Sequence, residues 1–208
     1  MRILSLKEAL MQTKVYIPPE KPIQGWQMSP LPIGTVPTFP TANLSLEIGP
    51  GNGAFVVHQC QQFPTHYFIA IEKKKKRFEK ICKRAEKLKI NNLTLVLGDA
   101  RVILEKFFHK IQFQSIYILF PDPWPKRVHG KHRMVQDYFV DHLVKLLTPK
   151  GILYLATDHE PYAQQMSAVF QKNGKFTFES GQSLFPTYFE TKWKKLGLMI
   201  HYFKFTLN

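Results

Sequence analysis

Residues Leu44–Ile48 form a short apolar run that passes directly into Gly49-Pro50-Gly51-Asn52-Gly53. Glycine takes up left-handed backbone without steric penalty, so this join is a tight turn from a strand into a helix. The pattern recurs. Residues 67–71, Leu93–Leu97, 115–120 and 152–156 are further apolar runs of strand length. Between them, residues 73–90 carry Phe78, Ile81, Ala85 and Leu88 at helical spacing. Residues 134–147 carry Val135, Tyr138, Phe139, Leu143 and Leu146 in the same way, with Lys150-Gly151 as the stop. Residues 161–171 read as one more helix. Residues 176–179 and 199–205 are late strands with no clear helix between them, which suggests an antiparallel hairpin at a sheet edge. Strands alternating with helices predict an α/β fold on a mostly parallel sheet.

Ligands of such sheets bind beyond the carboxyl ends of the strands, and those ends carry acids. Glu47 lies two residues before Gly49, Glu72 follows the second run, and Asp99 follows the third in Gly98-Asp99-Ala100. Gly49, Gly51 and Gly53 let backbone approach a ligand closely. The spacing Gly49-x-Gly51-x-x-Ala54 also satisfies a loose dinucleotide fingerprint. Three carboxylates suit a cationic sulfonium better than a pyrophosphate, which they would repel. The expected ligand is therefore S-adenosylmethionine: Glu47 near its amino-acid end, Glu72 on the ribose hydroxyls, Asp99 on the adenine amino group. Against that reading stands helix capping by Glu47 or Asp99.

Lysine and arginine number 29 and acids 15, a net charge of +14. That excess favours a polyanionic partner. The cationic face of residues 73–90 reads first as a solvated surface and second as an RNA contact. Cys60 and Cys82 make no CxxC pair and no zinc pattern. The N-terminal apolar stretch is broken by Lys7 and Glu8, so it does not read as a signal peptide. No apolar run approaches the roughly 20 residues that span a bilayer. A cytoplasmic protein without membrane contact is expected. Residues 1–40 read as a proline-rich arm, with a possible capping box at Ser5-Leu6-Lys7-Glu8, and residues 41–208 as the main domain.

The densest chemistry follows the fourth run: Phe120-Pro121-Asp122-Pro123-Trp124-Pro125-Lys126-Arg127-Val128-His129-Gly130-Lys131-His132-Arg133. Prolines fix the loop, Asp122 emerges just past a strand end, Trp124 offers a flat face, and cations follow. Such a set suits a nucleobase on a phosphate chain. Lys126, Arg127, Lys131 and Arg133 would neutralise phosphates. His129 and His132 lack a third ligand nearby, so no metal is expected. Asp158, at the next strand end, could grip the donor edge of a guanine or cap the helix near Pro161.

With these residues in place, the chain resembles the bacterial tRNA (guanine-N(7)-)-methyltransferase family from about Leu44 to Gly197. The motifs are EIGPGNG, IE at 71–72, GDA at 98–100, FPDPWPK at 120–126, ATD at 156–158 and TKW at 191–193. The resemblance implies a class I S-adenosylmethionine-dependent methyltransferase (Rossmann-like) fold. It implies methyl transfer to the variable-loop guanosine at tRNA position 46. It implies cofactor contacts at Glu47, Glu72, Asp99 and Asp122, and catalysis by Asp122. Lys126, Asp158 and the segment Thr191, Lys192, Trp193, Lys194 are implied as substrate contacts. The family has Glu three residues after its Thr, whereas Lys194 stands three after Thr191. Either Glu190 substitutes or Lys194 meets phosphate. A monomer or homodimer is expected, with no obligatory protein partner. The competing functions are a nicotinamide-dependent dehydrogenase, a non-catalytic RNA-binding protein and a methyltransferase of another RNA.

Overall fold

The computed structural model describes residues 14–16, 28–30 and 43–208, which fall into two compact units meeting in sequence between Ile111 and Gln112. In the first unit, β3 (Leu44–Ile48), β4 (Tyr67–Glu72) and β5 (Leu93–Leu97) are parallel neighbours. Every residue of these three strands is buried, as expected of parallel strands covered on both faces. Helices α1 (Ala54–Gln62), α2 (Lys75–Lys87) and α3 (Ala100–Lys106) follow the three strands in turn. Val56, Val57 and Cys60 of α1 and Phe78, Ile81, Cys82 and Ala85 of α2 share one apolar cluster with Phe68, Ala70, Leu93, Leu95 and Leu97.

Two short strands extend this unit's sheet. β1 (Lys14–Tyr16) lies antiparallel to β5, and β2 (Met28–Pro30) antiparallel to β1. The proline-rich stretch, read from its sequence as an arm, nonetheless holds these two strands: Lys14–Tyr16 precedes Pro18, the first proline of the chain, and Pro30 ends the outer strand, where no ladder bond from its nitrogen is needed. The capping box at Ser5–Glu8 lies outside the described residues.

In the second unit, β6 (Phe113–Leu119) runs parallel to β7 (Leu147–Thr157). β9 (His201–Leu207) is antiparallel to β7, and β8 (Phe176–Ser180) pairs antiparallel with β9 at the edge. The expected antiparallel hairpin is thus present. Between β6 and β7 come a 3-10 segment (Arg127–His132) and α4 (Asp137–Leu146). Helix α5 (Glu160–Asn173) links β7 to β8, and α6 (Tyr188–Lys195) links β8 to β9.

Two expectations are corrected here. Lys150-Gly151 does not close a helix, since α4 gives way to β7 at Leu147. The register jumps from the pair Phe113–Leu147 to the pair Ser115–Ile152, so residues between Leu147 and Ile152 form an irregularity within β7. Lys150 takes the left-handed conformation there, φ 62°. And a helix does join the last two strands. It is short, and its Phe189 and Trp193 are aromatic rather than aliphatic, so the usual stripe is weak.

Candidate active site

The glycine loop of the first unit is left-handed at Gly49, Gly51 and Gly53, with φ of 75°, 60° and 72°. Gly53 is doubly constrained, because a Cβ would lie 2.8 Å from the Ile81 side chain on α2. Gly49 N–H donates to the Ile71 carbonyl (2.9 Å) and Gly53 N–H to the Pro50 carbonyl (2.8 Å). Glu72 closes the loop from β4: its Oε2 accepts from Gly51 N–H (3.2 Å) and its Oε1 from Lys74 N–H (2.7 Å).

Glu47 is 4% exposed, and its Oε2 is buried with no hydrogen-bond partner. Burial first, and the Glu72 charge second, push its carboxyl up to about 8. A buried carboxyl oxygen without a partner suits a hydrogen-bond donor from a ligand, and a cationic one would also favour the ionised form against burial. The Glu47 carboxyl also accepts from the Val56 backbone N–H in the first turn of α1, although neither Glu47 nor Glu72 occupies an N-cap position.

Asp99 does. Its Oδ1 accepts from the N–H of Arg101 (3.0 Å), and Lys73 Nζ (2.9 Å) and Arg101 Nη2 (3.0 Å) reach its Oδ2. Burial alone would raise this carboxyl, yet the Arg101 and Lys73 bonds overcome it and hold Asp99 well below the usual range. The capping reading of Asp99 is therefore what the local structure displays.

In the second unit, the loop after β6 is bent by backbone that side chains rarely adopt. Phe120 and Trp124 have φ of 54° and 43°. Left-handed backbone outside glycine costs on the order of 1 kcal/mol and persists where the surroundings impose it. Asp122 lies between the two, exposed, its Oδ1 accepting from Trp124 N–H (3.2 Å). The Trp124 ring packs against His132 (5.2 Å) and, edge-on, His129 (5.8 Å). Both histidines serve that stack, and among the described residues no cluster of His, Cys, Asp or Glu could hold a metal.

Arg133 is the element that imposes this shape, and here the sequence reading is corrected. It is 8% exposed and does not face solvent phosphates. Its Nε donates to the Pro123 carbonyl (2.8 Å), and its Nη1 to Gln165 Oε1 (2.7 Å) and, more loosely, the Pro161 carbonyl (3.4 Å). The guanidinium also lies 5.0 Å from the Tyr162 ring centre. A planar fork with several donors can bridge loop and helix in this way, and a point charge could not. Lys126 and Lys131 are exposed.

Asp158 is half-buried and does not cap α5. That task falls to His159, whose Nδ1 accepts from Tyr162 N–H (3.2 Å).

A small, partly open pocket is lined by Phe120, Tyr154, Phe185, Thr187, Glu190 and Tyr202, among others. Thr191, Lys192, Trp193 and Lys194 do not line it. Thr191 and Lys194 are exposed, and Lys192 sits 4.5 Å over the Trp193 ring. Thr187 Oγ1 caps α6, accepting from Glu190 N–H (3.1 Å). The Glu190 side chain is 2% exposed and its Oε1 accepts from Lys194 Nζ (2.6 Å). Burial opposes its charge, but Lys194 and the Ser183 and Tyr202 side chains around it hold the carboxyl below the usual range.

Thr187 and Glu190 stand three residues apart at the start of α6, one helical turn before Thr191 and Lys194. The missed signal was the capping-box spacing Thr187-x-x-Glu190 itself. Lys194 is the counter-ion of Glu190.

Comparison with known proteins bears on the whole arrangement. A family described as "putative methyltransferase" matches residues 41–202. A tRNA (guanine-N(7)-)-methyltransferase of Chlamydia felis is 36% identical over 167 residues, 78% of this chain and 75% of that relative. One from Nitrosomonas europaea is 36% identical over 172 residues, 80% of this chain and 77% of that relative. Among solved structures, the 16S rRNA methyltransferase KamB matches at TM-score 0.60 and 15% identity, covering 80% of this chain and 88% of that one. That likeness carries the fold alone: a class I methyltransferase α/β fold.

Proposed function

The chain belongs to the tRNA (guanine-N(7)-)-methyltransferase family, and on that premise we propose that it transfers a methyl group from S-adenosylmethionine to N(7) of the variable-loop guanosine at tRNA position 46. The observation that carries the donor half is the buried, unpartnered Oε2 of Glu47 behind a left-handed glycine loop. The residues fit the donor: Glu47 accepts from its ammonium, Glu72 offers remaining lone pairs to ribose hydroxyls, and the loop backbone gives close approach. The dehydrogenase reading loses ground on the same acids, which would repel a pyrophosphate.

When bound, the donor supplies an electrophilic methyl on a sulfonium. The guanine N(7) lone pair forms the new N–C bond as the S–C bond breaks, and the electron pair of that bond stays on sulfur. N(7) carries no proton, so no general base is required, and positioning dominates. Asp122 accepts hydrogen bonds from the base and stabilises the positive charge that the purine gains. Glu190 stays ionised and acts as a pure acceptor for the N1–H and amino edge of guanine, with Thr187 and Asp158 as further polar contacts. Lys126, Arg127 and Lys131 neutralise phosphates.

The reaction requires the compartment that holds tRNA, the cytoplasm. Among the described residues no helix is long and apolar enough to cross a membrane. Incubation with labelled S-adenosylmethionine and unmodified tRNA, followed by N(7)-methylguanosine-specific strand cleavage, tests the assignment. Cleavage at position 46 is the expected result. Label without that cleavage overturns the target, and no label overturns the activity.

A further inference from the structure

Helix α2 turns Phe78, Ile81, Cys82 and Ala85 into the core of the first unit, keeps Arg84 half-buried against the Asn52 carbonyl (3.2 Å), and turns the rest outward. The outward residues are overwhelmingly cationic. Lys75, Lys76, Arg77, Lys80, Lys83 and Lys87 are exposed, with Lys73 and Lys74 before them and Lys89 after. The helix has only Glu79 and Glu86 in return. Glu79 pairs with Lys75 at 3.6 Å, and Lys73 is taken by Asp99.

This distribution opposes the helix's own stability twice. Lys76, Lys80, Lys83 and Lys87 fall at i, i+4, i+7 and i+11, one stripe of like charges, and each such neighbour pair costs roughly 0.2–0.5 kcal/mol. Lys75, Lys76 and Arg77 crowd the first turn, which has no acid, although that end of a helix is already positive. Solubility requires neither feature, since mixed signs serve it as well. A polyanion lying along the stripe would relieve both. The stripe extends over roughly 16 Å of helix axis, at about 1.5 Å per residue, long enough to meet several phosphates. It carries no aromatic or amide side chain to read a base edge, so it recognises backbone and not sequence. An anionic membrane is the poorer fit, because an interfacial helix needs an outward apolar face to insert, and this one is turned into the core.

We propose that the exposed face of α2 is a second tRNA-binding surface, gripping the phosphodiester backbone of the folded tRNA independently of the residues that handle the target guanosine. It rests on the tRNA reading above. Its signature is tight binding of substrate with no part in the chemical step.

The test is the full-length chain with Lys76, Lys80, Lys83 and Lys87 all replaced by alanine. Alanine favours helix, so α2 is retained, and circular dichroism and the urea midpoint check it. The expected result at ~0.1 M salt is a KM for tRNA raised about tenfold or more with kcat unchanged. The slope of log KM against log salt should flatten by about 0.7–0.9 per lost phosphate contact. An unchanged KM and slope overturn the proposal and leave the face merely solvated. A fall in kcat at saturating tRNA overturns its independence from chemistry. Loss of binding to phosphatidylserine vesicles with KM intact assigns the face to membranes and overturns it equally. Direct tRNA binding by wild type and variant reads the surface without turnover. A failure of methylation with binding still lost in the variant therefore sinks the activity and keeps the surface.

Discussion

Asp122 is held on an exposed loop between two left-handed residues, and its carboxylate is already oriented by the Trp124 N–H. If its work is to accept hydrogen bonds and to face a developing positive charge, Asp122→Asn should leave donor and tRNA dissociation constants within about twofold. Single-turnover methyl transfer should fall by about 10²-fold or more, the scale of losing one preorganised electrostatic group. Unchanged turnover would exclude the role. Glu47 makes a prediction of another kind. The folded carboxyl keeps its proton up to about pH 8, against an ordinary value of 4.5. Between those values the folded state binds more protons than the unfolded one, so this group's contribution to stability is full below 4.5 and is lost as pH rises through 8. Thermal midpoints of the donor-free protein should fall across that window, and Glu47→Gln should remove that part of the fall. Identical slopes in both proteins would refute the assignment.

Elements show why some of this was legible in the sequence and some was not. The strand-end positions of Glu47, Glu72, Asp99 and Asp122 follow from alternation alone, since each strand is a short apolar run with an abrupt end. Which side chain an acid or a cation would meet does not follow. Arg133 looks like Lys131 in sequence, yet Pro123 and Gln165 bury it, and those contacts join residues 10 and 32 positions away. Thr191 and Thr187 each start a plausible motif, and only the helix start distinguishes them. Because Arg133 ties the Asp122 loop to α5, Arg133→Ala should destabilise by about 2–3 kcal/mol, the range for a buried bond to a charged group. It should lower kcat more than it raises KM for tRNA, and Lys should not rescue it. A raised KM with normal kcat would return Arg133 to the phosphate contacts. The irregularity in β7 gives a purely structural counterpart. A Cβ on Gly151 would meet the Thr148 carbonyl oxygen at 2.8 Å and Leu147 Cβ at 3.1 Å, so backbone must shift. Gly151→Ala should lower the urea midpoint by the equivalent of about 1–3 kcal/mol, typical of overpacking. A midpoint equal to wild type would mean that the strand absorbs the methyl group freely.

At the scale of the whole molecule, the dominant fact is a net charge of +14. Self-repulsion of that size weakens a compact state, and it persists here alongside a first unit whose buried acids are few and mostly tied to backbone or to neighbouring cations. Binding to a polyanion turns the repulsion into affinity, through release of counterions from the nucleic acid. On the proposed function, the two sets of cations, Lys126 and Lys131 after β6 and the stripe on α2, would act additively on affinity, with Asp122 and Glu190 left to select the base. Affinity for tRNA should therefore fall by about 10³-fold or more between 50 and 200 mM salt if some six phosphates are met. Donor affinity, which the proposal assigns to the buried Glu47 and the glycine loop, should change little over the same range, because interactions inside a buried site are screened far less than exposed ones. Titrations of tRNA and of S-adenosylmethionine in parallel salt series measure both. A tRNA affinity as insensitive to salt as that of the donor would mean that the positive charge of this chain serves something other than its substrate.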